Sequence, residues 1–308
     1  MFSRLAKPEY LFQPRMLVRR LLGRRRGDKP EFDDWRLPWG LTIRIRPAEE
    51  HGRMLQTLGV VDLEVSETLW RLCEPGETNV DVGGNIGYMT SLLSCRTAKK
   101  AGGRLLTFEA HPGVFGELTH NIGCWASVFP GLDLKAVHAA ISDREGTLNL
   151  KMPEGFRENR GLSQVVDSGD SGGLPDNCLE VQAKTLDGVL GAEDSIGLLK
   201  VDVEGHELQV LNGATNLLEQ GRVRDCVFEE HRDFPTPVTD CLQSHGYEVF
   251  RLHRTLWGPV LLDGGTRVER SAWLPTSFLA TLDSSRAKAL FRPGGWQVLK
   301  SRRLLQRS

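Results

Sequence analysis

Apolar positions fall in two rhythms along this chain. Short apolar runs, Asn79–Val82, Arg104–Phe108, Leu134–Ala140, Leu198–Val203 and Val223–Glu229, read as buried strands. Between them, apolar residues return every three or four positions, which predicts helices over Ile86–Leu93, Pro112–Ile122, Leu208–Leu218 and Val238–His245. Strands alternating with helices predict an α/β fold, a doubly wound parallel sheet covered on both faces. Before that series, Leu41–Ile45 alternates like a small strand, and Leu58–Leu72 has helical spacing that stops at Glu74-Pro75-Gly76. Thr147–Met152 and Leu179–Lys184 alternate like a hairpin. The segment between them, 155–177, is rich in Gly, Ser and Asp and reads as a mobile loop of the kind that forms lids.

The 308 residues, 40% hydrophobic and 26% charged, are enough for one large domain or two small ones and exclude a disordered chain or a disulfide scaffold. No apolar run is long enough for a transmembrane helix, and the N-terminus lacks the pattern of a secretory signal. Cys73, Cys95, Cys124, Cys178, Cys226 and Cys241 are scattered and read as reduced thiols, so the expected location is the cytoplasm. Net charge changes the picture more. Residues 1–30 carry +7, residues 284–308 another +7, and the stretch between them −15. An acidic body argues against nucleic acid as a partner along its length. The expected division is a basic extension over 1–35, a catalytic body over 36–283 and a basic tail over 284–308. Arg15, Arg19, Arg20, Arg24, Arg25 and Arg26 interleave with Leu11, Phe12, Met16, Leu17, Val18, Leu21 and Leu22. The plainer reading is a helix docked on the body with its arginines in water. The alternative is peripheral contact with an anionic inner-membrane surface.

The candidate chemistry begins at the turn after the first strand of the series. Asn79-Val80-Asp81-Val82 runs into Gly83-Gly84-Asn85-Ile86-Gly87, at a place where open α/β sheets bind ligands. The order Asp-x-Gly-x-Asn-x-Gly is not the G-x-G-x-x-G of a dinucleotide site. An aspartate there repels a pyrophosphate and suits a cationic amino group. Glu109 ends the second strand, about 25 residues beyond the glycines, where an acid accepts ribose hydroxyls. A ribose and a cation without a diphosphate describe S-adenosylmethionine.

These segments resemble the FkbM family of class I S-adenosylmethionine-dependent methyltransferases. The resemblance rests on Val80-Asp81-Val82-Gly83-Gly84-Asn85-Ile86-Gly87-Tyr88, Phe108-Glu109-Ala110-His111-Pro112, Ala140-Ile141-Ser142-Asp143 and Thr185-Leu186-Asp187. Its most specific part is Lys200-Val201-Asp202-Val203-Glu204-Gly205-His206-Glu207. Ala110 and Gly84 depart from the family's usual Pro and Ala. The resemblance implies a Rossmann-like, seven-stranded, mostly parallel sheet whose last hairpin, near Tyr247–Leu252 and Phe278–Leu282, is antiparallel. It also implies cofactor contacts at Asp81, Gly83, Asn85, Gly87, Glu109 and Ser142, and methyl transfer to oxygen on a small-molecule or saccharide-type acceptor.

A hydroxyl acceptor calls for a base or a metal. Asp202, Glu204 and His231 are the catalytic candidates. Asp202, Glu229 and Glu230 are the candidate ligands of a divalent cation such as Mg²⁺. Glu207 reads equally as a helix cap, Lys200 as a neutralising partner, and His51 as an ordinary residue. A nucleic-acid methyltransferase and a non-catalytic cofactor-binding module remain the competing classes.

Overall fold

The computed structural model describes residues 7–22, 30–156, 158–166, 177–268 and 275–300. Arg24, Arg25, Arg26 and loop residues 167–176 lie outside them. A small antiparallel pair, β1 (Asp33–Arg36) and β2 (Thr42–Ile45), precedes the main series. That series comprises β3 (Thr78–Val82), β4 (Arg104–Glu109), β5 (Asp133–His138), β6 (Ala140–Ile141), β7 (Gly146–Lys151), β8 (Gln164–Val166), β9 (Cys178–Lys184), β10 (Ile196–Val201), β11 (Val223–Glu230), β12 (Glu248–Thr255), β13 (Gly258–Asp263) and β14 (Thr276–Thr281).

The main sheet has eight strands in the order β13-β12-β14-β11-β10-β3-β4-β5. The five strands from β11 to β5 pair in parallel, and β14, β12 and β13 are antiparallel. The expected α/β sheet is therefore present with one strand more than the seven implied. The addition is β13, which turns back from β12 through Leu256 and Trp257. Its Pro259 disguised it in the sequence, but proline is tolerated on an edge strand, where its missing N–H breaks no ladder. The hairpin expected from Thr147–Met152 and Leu179–Lys184 forms as β7 with β9, in a four-stranded sheet of order β6-β9-β7-β8.

Alternating strand residues feed two cores. Val80, Val82, Leu106, Phe108, Leu199 and Val201 pack under helices Glu207–Asn212, Thr215–Glu219 and Pro237–Ser244. Leu105, Leu198 and Val227 pack under Leu63–Leu72 and Tyr88–Thr97. The single helix expected over Leu208–Leu218 is broken at Gly213. A Cβ there would lie 1.9 Å from the Ser142 carbonyl oxygen, so glycine lets the two backbones touch. The helix expected over Leu58–Leu72 is likewise two, Glu50–Leu58 and Leu63–Leu72, divided at Gly59 in the left-handed conformation.

Both basic ends are partly built into the body. Helices Pro8–Phe12 and Pro14–Leu22 bury Tyr10 and Met16. At the other end, Trp296 is fully enclosed, and Arg286 pairs with buried Asp225 at 2.9 Å and with Glu74. Glu67 ties this end down. Its carboxylate accepts the N–H groups of Gln297 (2.9 Å) and Val298 (2.8 Å) and pairs with Arg71 at 2.7 Å. Residues 284–300 are therefore packed on the body through Ala287, Trp296, Val298 and Leu299. Removing one member of such a buried pair leaves an uncompensated charge. Glu67→Ala should cost about 3 kcal/mol of stability, read as a lower denaturation midpoint. A loss below about 1 kcal/mol, within the range of an exposed pair, would refute that role.

Candidate functional site

A cavity of about 360 Å³ opens at the carboxyl ends of β3, β4, β10 and β11. The chain crosses over to opposite sides of β3 at this point, so the crevice follows from the strand order. Its floor is the glycine turn. Gly83 and Gly84 donate their N–H groups to the Phe108 carbonyl at 3.0 and 2.8 Å. A Cβ at Gly83 would lie 1.9 Å from the Asp202 carbonyl oxygen, and one at Gly84 would lie 2.1 Å from Thr107 Oγ1. Glycine thus lets the turn press against both neighbouring strands.

Asn85 follows with a φ of 50° and donates its N–H to Glu109 Oε2 at 3.0 Å. His111 N–H donates to Glu109 Oε1 at 2.8 Å. Burial raises the Glu109 carboxyl above its ordinary value, against the pull of these two N–H groups. The expected cofactor residues then divide. Gly83, Asn85 and Glu109 line the cavity; Asp81, Gly87 and Ser142 stand behind its wall. Asp81 is fully buried, 3.1 Å from Lys200 Nζ, and accepts the Thr90 hydroxyl at 2.7 Å. The cation it meets is supplied by the chain itself. Gly87, with a φ of 95°, shapes the turn. Ser142 Oγ lies 2.9 Å from Nε2 of His206, which does line the cavity.

Lys200 is the hub of this floor. Besides Asp81 it reaches Asp202 at 3.5 Å and donates to the Gly83 carbonyl at 2.8 Å. Burial opposes its charge, but Asp81 and Asp202 prevail and hold it well above the ordinary lysine value.

The opposite wall is acidic. Asp202, Glu204 and Glu229 line it, joined by Glu50 and Asp62. Burial first, then the charges of Asp202, Asp62 and Glu204, push Glu229 up to about 9. Burial and Asp202 push Glu204 and Asp62 up to about 7. His231 Nε2 sits 3.7 Å from Glu204 Oε2 at the mouth. Asp62, Asn85 and Glu204 are the non-glycine residues with positive φ among the described residues, and all three line this cavity. Strain gathered at one place is characteristic of functional sites. Glu207 turns aside and accepts the N–H groups of Val203 and Gly205 at 3.1 and 3.2 Å, so it fastens the loop ahead of helix Glu207–Asn212 instead of capping that helix.

Of the expected metal ligands, Asp202 and Glu229 share the cavity and Glu230 does not. Glu230 pairs with Arg232 at 3.0 Å. Among the described residues no three His, Cys, Asp or Glu side chains are grouped to hold a metal ion. Strand alternation is the reason: Glu229 and Glu230 point to opposite faces of the sheet.

Sequence reasoning missed the contribution of residues 50–62. His51 lines the cavity, and burial lowers its basicity. The available signal was the break at Gly59-Val60-Val61-Asp62, an acid straight after buried valines. Part of the loop expected over 155–177 lies among the described residues. Asn159–Ser163 crosses the cavity wall, strapped down by Arg160, which lies 2.8 Å from both Glu49 and Glu117. Asn159 Nδ2 donates to Glu50 Oε2 at 3.0 Å. Burial works to raise Glu117, but Arg160 and Arg46 outweigh it and hold the carboxyl below its ordinary value.

The profile of the methyltransferase FkbM domain matches residues 81–249, more than half of the chain. A hexuronic acid methyltransferase of Haloferax volcanii, AglP, is 28% identical over 217 residues, covering 68% of this chain and 80% of that protein. The methyltransferase sdnD of Sordaria araneosa is 29% identical over 210 residues, covering 58% of this chain and 76% of that protein. A solved methyltransferase FkbM from Methylobacillus flagellatus aligns with a TM-score of 0.42 at 14% identity. That alignment covers 67% of this chain and 43% of the solved chain, so this chain spans less than half of it.

The raised carboxyls give a pH prediction. Glu229 moves from an ordinary 4.5 to about 9 on folding. Between those values the unfolded chain releases a proton that the folded chain retains, so rising pH favours unfolding. The stabilising effect is complete below about 4.5 and is lost as pH climbs through about 9. The melting temperature of the wild type should fall across that window more steeply than that of Glu229→Gln. Parallel curves would contradict the assignment.

Proposed function

The chain belongs to the methyltransferase FkbM family, and from that premise we propose that it transfers a methyl group from S-adenosylmethionine to an oxygen of a small, saccharide-type acceptor. The observation that carries this reading is the Glu109 carboxylate, presented to the cavity by two backbone N–H groups opposite an acidic wall. S-adenosylmethionine supplies a methyl group on a positively charged sulfur and carries a ribose but no phosphate.

The residues fit such a group. Glu109 would accept the ribose hydroxyls, and Asn85 and the Gly83 backbone would flank it. Ala110, Ala140 and Ile141 give the same side of the cavity an apolar surface for a base. The lysine and arginine of the lining, Lys200 and Arg160, are each committed to two carboxylates of the chain. The wall therefore favours a cation and opposes a diphosphate.

On the acceptor side, Asp202, Glu204 and His231 are the proposed working groups. A carboxyl titrating near 7 beside an imidazole is matched to taking a hydroxyl proton at neutral pH. Asp202, anchored by Lys200, would orient the acceptor. The strap at Asn159–Ser163 would exclude water from the reacting centre. The saccharide class is supported by the name of the Haloferax volcanii relative, a hexuronic acid methyltransferase.

Calorimetric titration with S-adenosylmethionine tests the cofactor. Binding should weaken at least about tenfold in Glu109→Ala, the loss of two charge-assisted hydrogen bonds. Because a cation draws Glu204, Glu229 and Asp62 toward their ionised forms, binding should release protons. The apparent enthalpy should then depend on the ionisation enthalpy of the buffer. A screen of hexuronic-acid saccharides by mass spectrometry tests the acceptor. Glu204→Gln should keep most of the cofactor binding, since Glu229 and Asp62 remain on the wall, and lose about 100-fold in turnover. A folded wild-type chain that does not bind S-adenosylmethionine would overturn the proposal.

A further inference from the structure

The two basic ends of the chain meet at one place. Helix Pro8–Phe12 lies beside helix Gln297–Lys300: Gln13 Nε2 donates to the Leu299 carbonyl, and Lys300 Nζ stands 4.9 Å from the centre of the Phe12 ring. The tip of the β12–β13 hairpin joins them. Gly295 N–H donates to the Trp257 carbonyl at 2.7 Å, and a Cβ at Gly295 would lie within 4 Å of both Lys300 and Phe12. Arg254, on the flank of the hairpin, pairs with Glu9 of the first helix.

This junction exposes apolar side chains that the fold does not use. Trp257 is 68% exposed, the most exposed large apolar side chain among the described residues, and Leu11 is 49% exposed. Leu256 and Val260 on the same hairpin, and Val18 on the following helix, are exposed as well. Arg292 and Lys300 supply exposed cations on the C-terminal side of the junction, and Arg15 and Arg19 are exposed on the helix that follows Pro8–Phe12. No acidic side chain among the described residues balances Arg292 or Lys300 in an ion pair, whereas Arg286 and Lys288 are already paired with the body.

We propose that this junction, with Trp257 at its tip, docks on an anionic lipid surface. Indole and aliphatic side chains set among cations match the boundary between head groups and acyl chains. Nucleic acid would use the cations but leaves Leu11, Leu256 and Val260 without a partner. A second copy of the chain would bring like charge to like charge. Orientation adds a consequence. β12 runs antiparallel to β14, and β14 antiparallel to β11, so the end of β12 lies at the same end of the sheet as the cavity. A docked chain would carry its cavity at the lipid surface, within reach of acceptors held there. The docking inference rests on the patch alone and does not depend on the methyl acceptor.

Co-sedimentation of the full chain with vesicles tests it. Vesicles of phosphatidylglycerol and phosphatidylcholine should retain the protein at low salt, and vesicles of phosphatidylcholine alone should not. Trp257→Ser should weaken retention about tenfold, as expected from losing one large apolar contact, while Trp257→Phe should largely preserve it. Leu11→Ser should weaken it in the same direction. These side chains are exposed, so melting temperature and S-adenosylmethionine binding should be unchanged in all three variants. Equal retention by both kinds of vesicle, retention indifferent to Trp257→Ser, or capture by single-stranded RNA in preference to anionic vesicles would each overturn the inference. Failure here with cofactor binding intact would leave the proposed reaction standing.

Discussion

The buried ammonium of Lys200 is the point from which the rest of the site is organised. It lies on β10, next to β3 in the middle of the sheet, and its partners come from both strands: Asp81, Asp202 and the Gly83 carbonyl. A lone charge in that position would be prohibitively costly. Surrounded by two carboxylates and a carbonyl, it instead holds the ends of the two central strands in one register. The Gly83 turn can approach the Asp202 carbonyl only because no side chain intervenes. The close junction of β3 and β10 thus needs the ammonium, the two acids and the glycine together.

The chemistry of the cavity follows from how that ammonium is spent. With its charge already answered, it cannot neutralise the further acids that converge on the opposite wall. Burial and mutual repulsion then hold Glu229, Glu204 and Asp62 partly protonated around neutral pH. A wall in that state has a latent negative charge, expressed when a cation arrives and the protons leave. Such a wall answers a cation as it enters and leaves a carboxylate able to accept a proton afterwards. On the proposed function, cofactor selection and acceptor activation would draw on the same carboxylates.

Legibility in the sequence tracked how local the determinants were. β3, β4, β10 and β11, and the turn after β3, were readable because apolar runs and adjacent glycines report on their own neighbourhood. Of the residues expected to touch a cofactor, Gly83, Asn85 and Glu109 line the cavity. Asp81 and Ser142 do not line it, because strand phase decides whether a side chain faces the cavity or a buried partner, and a motif does not display its partner. Glu229 and Glu230 show the same limit. They are neighbours in sequence, yet only one turns to the cavity. β13 was hidden by a proline that only an edge strand tolerates.

The remainder of the cavity lining was least legible because it is assembled from pieces far apart in the chain. Glu50, His51 and Asp62 come from before the sheet, and Asn159–Ser163 from the connection between β7 and β8. None has a repeating pattern, and each acquires meaning only through tertiary bonds. Arg160 makes the point. In sequence it is one arginine in a polar loop; in the fold it joins Glu49, at the head of the helix bearing His51, to Glu117, on the helix that follows Glu109. Through that one guanidinium, the segment over the cavity is tied both to the helix bearing His51 and to the helix that follows Glu109. Divergence in acceptor choice within such a fold requires only that these appended pieces change, while the Lys200 junction beneath them stays as it is.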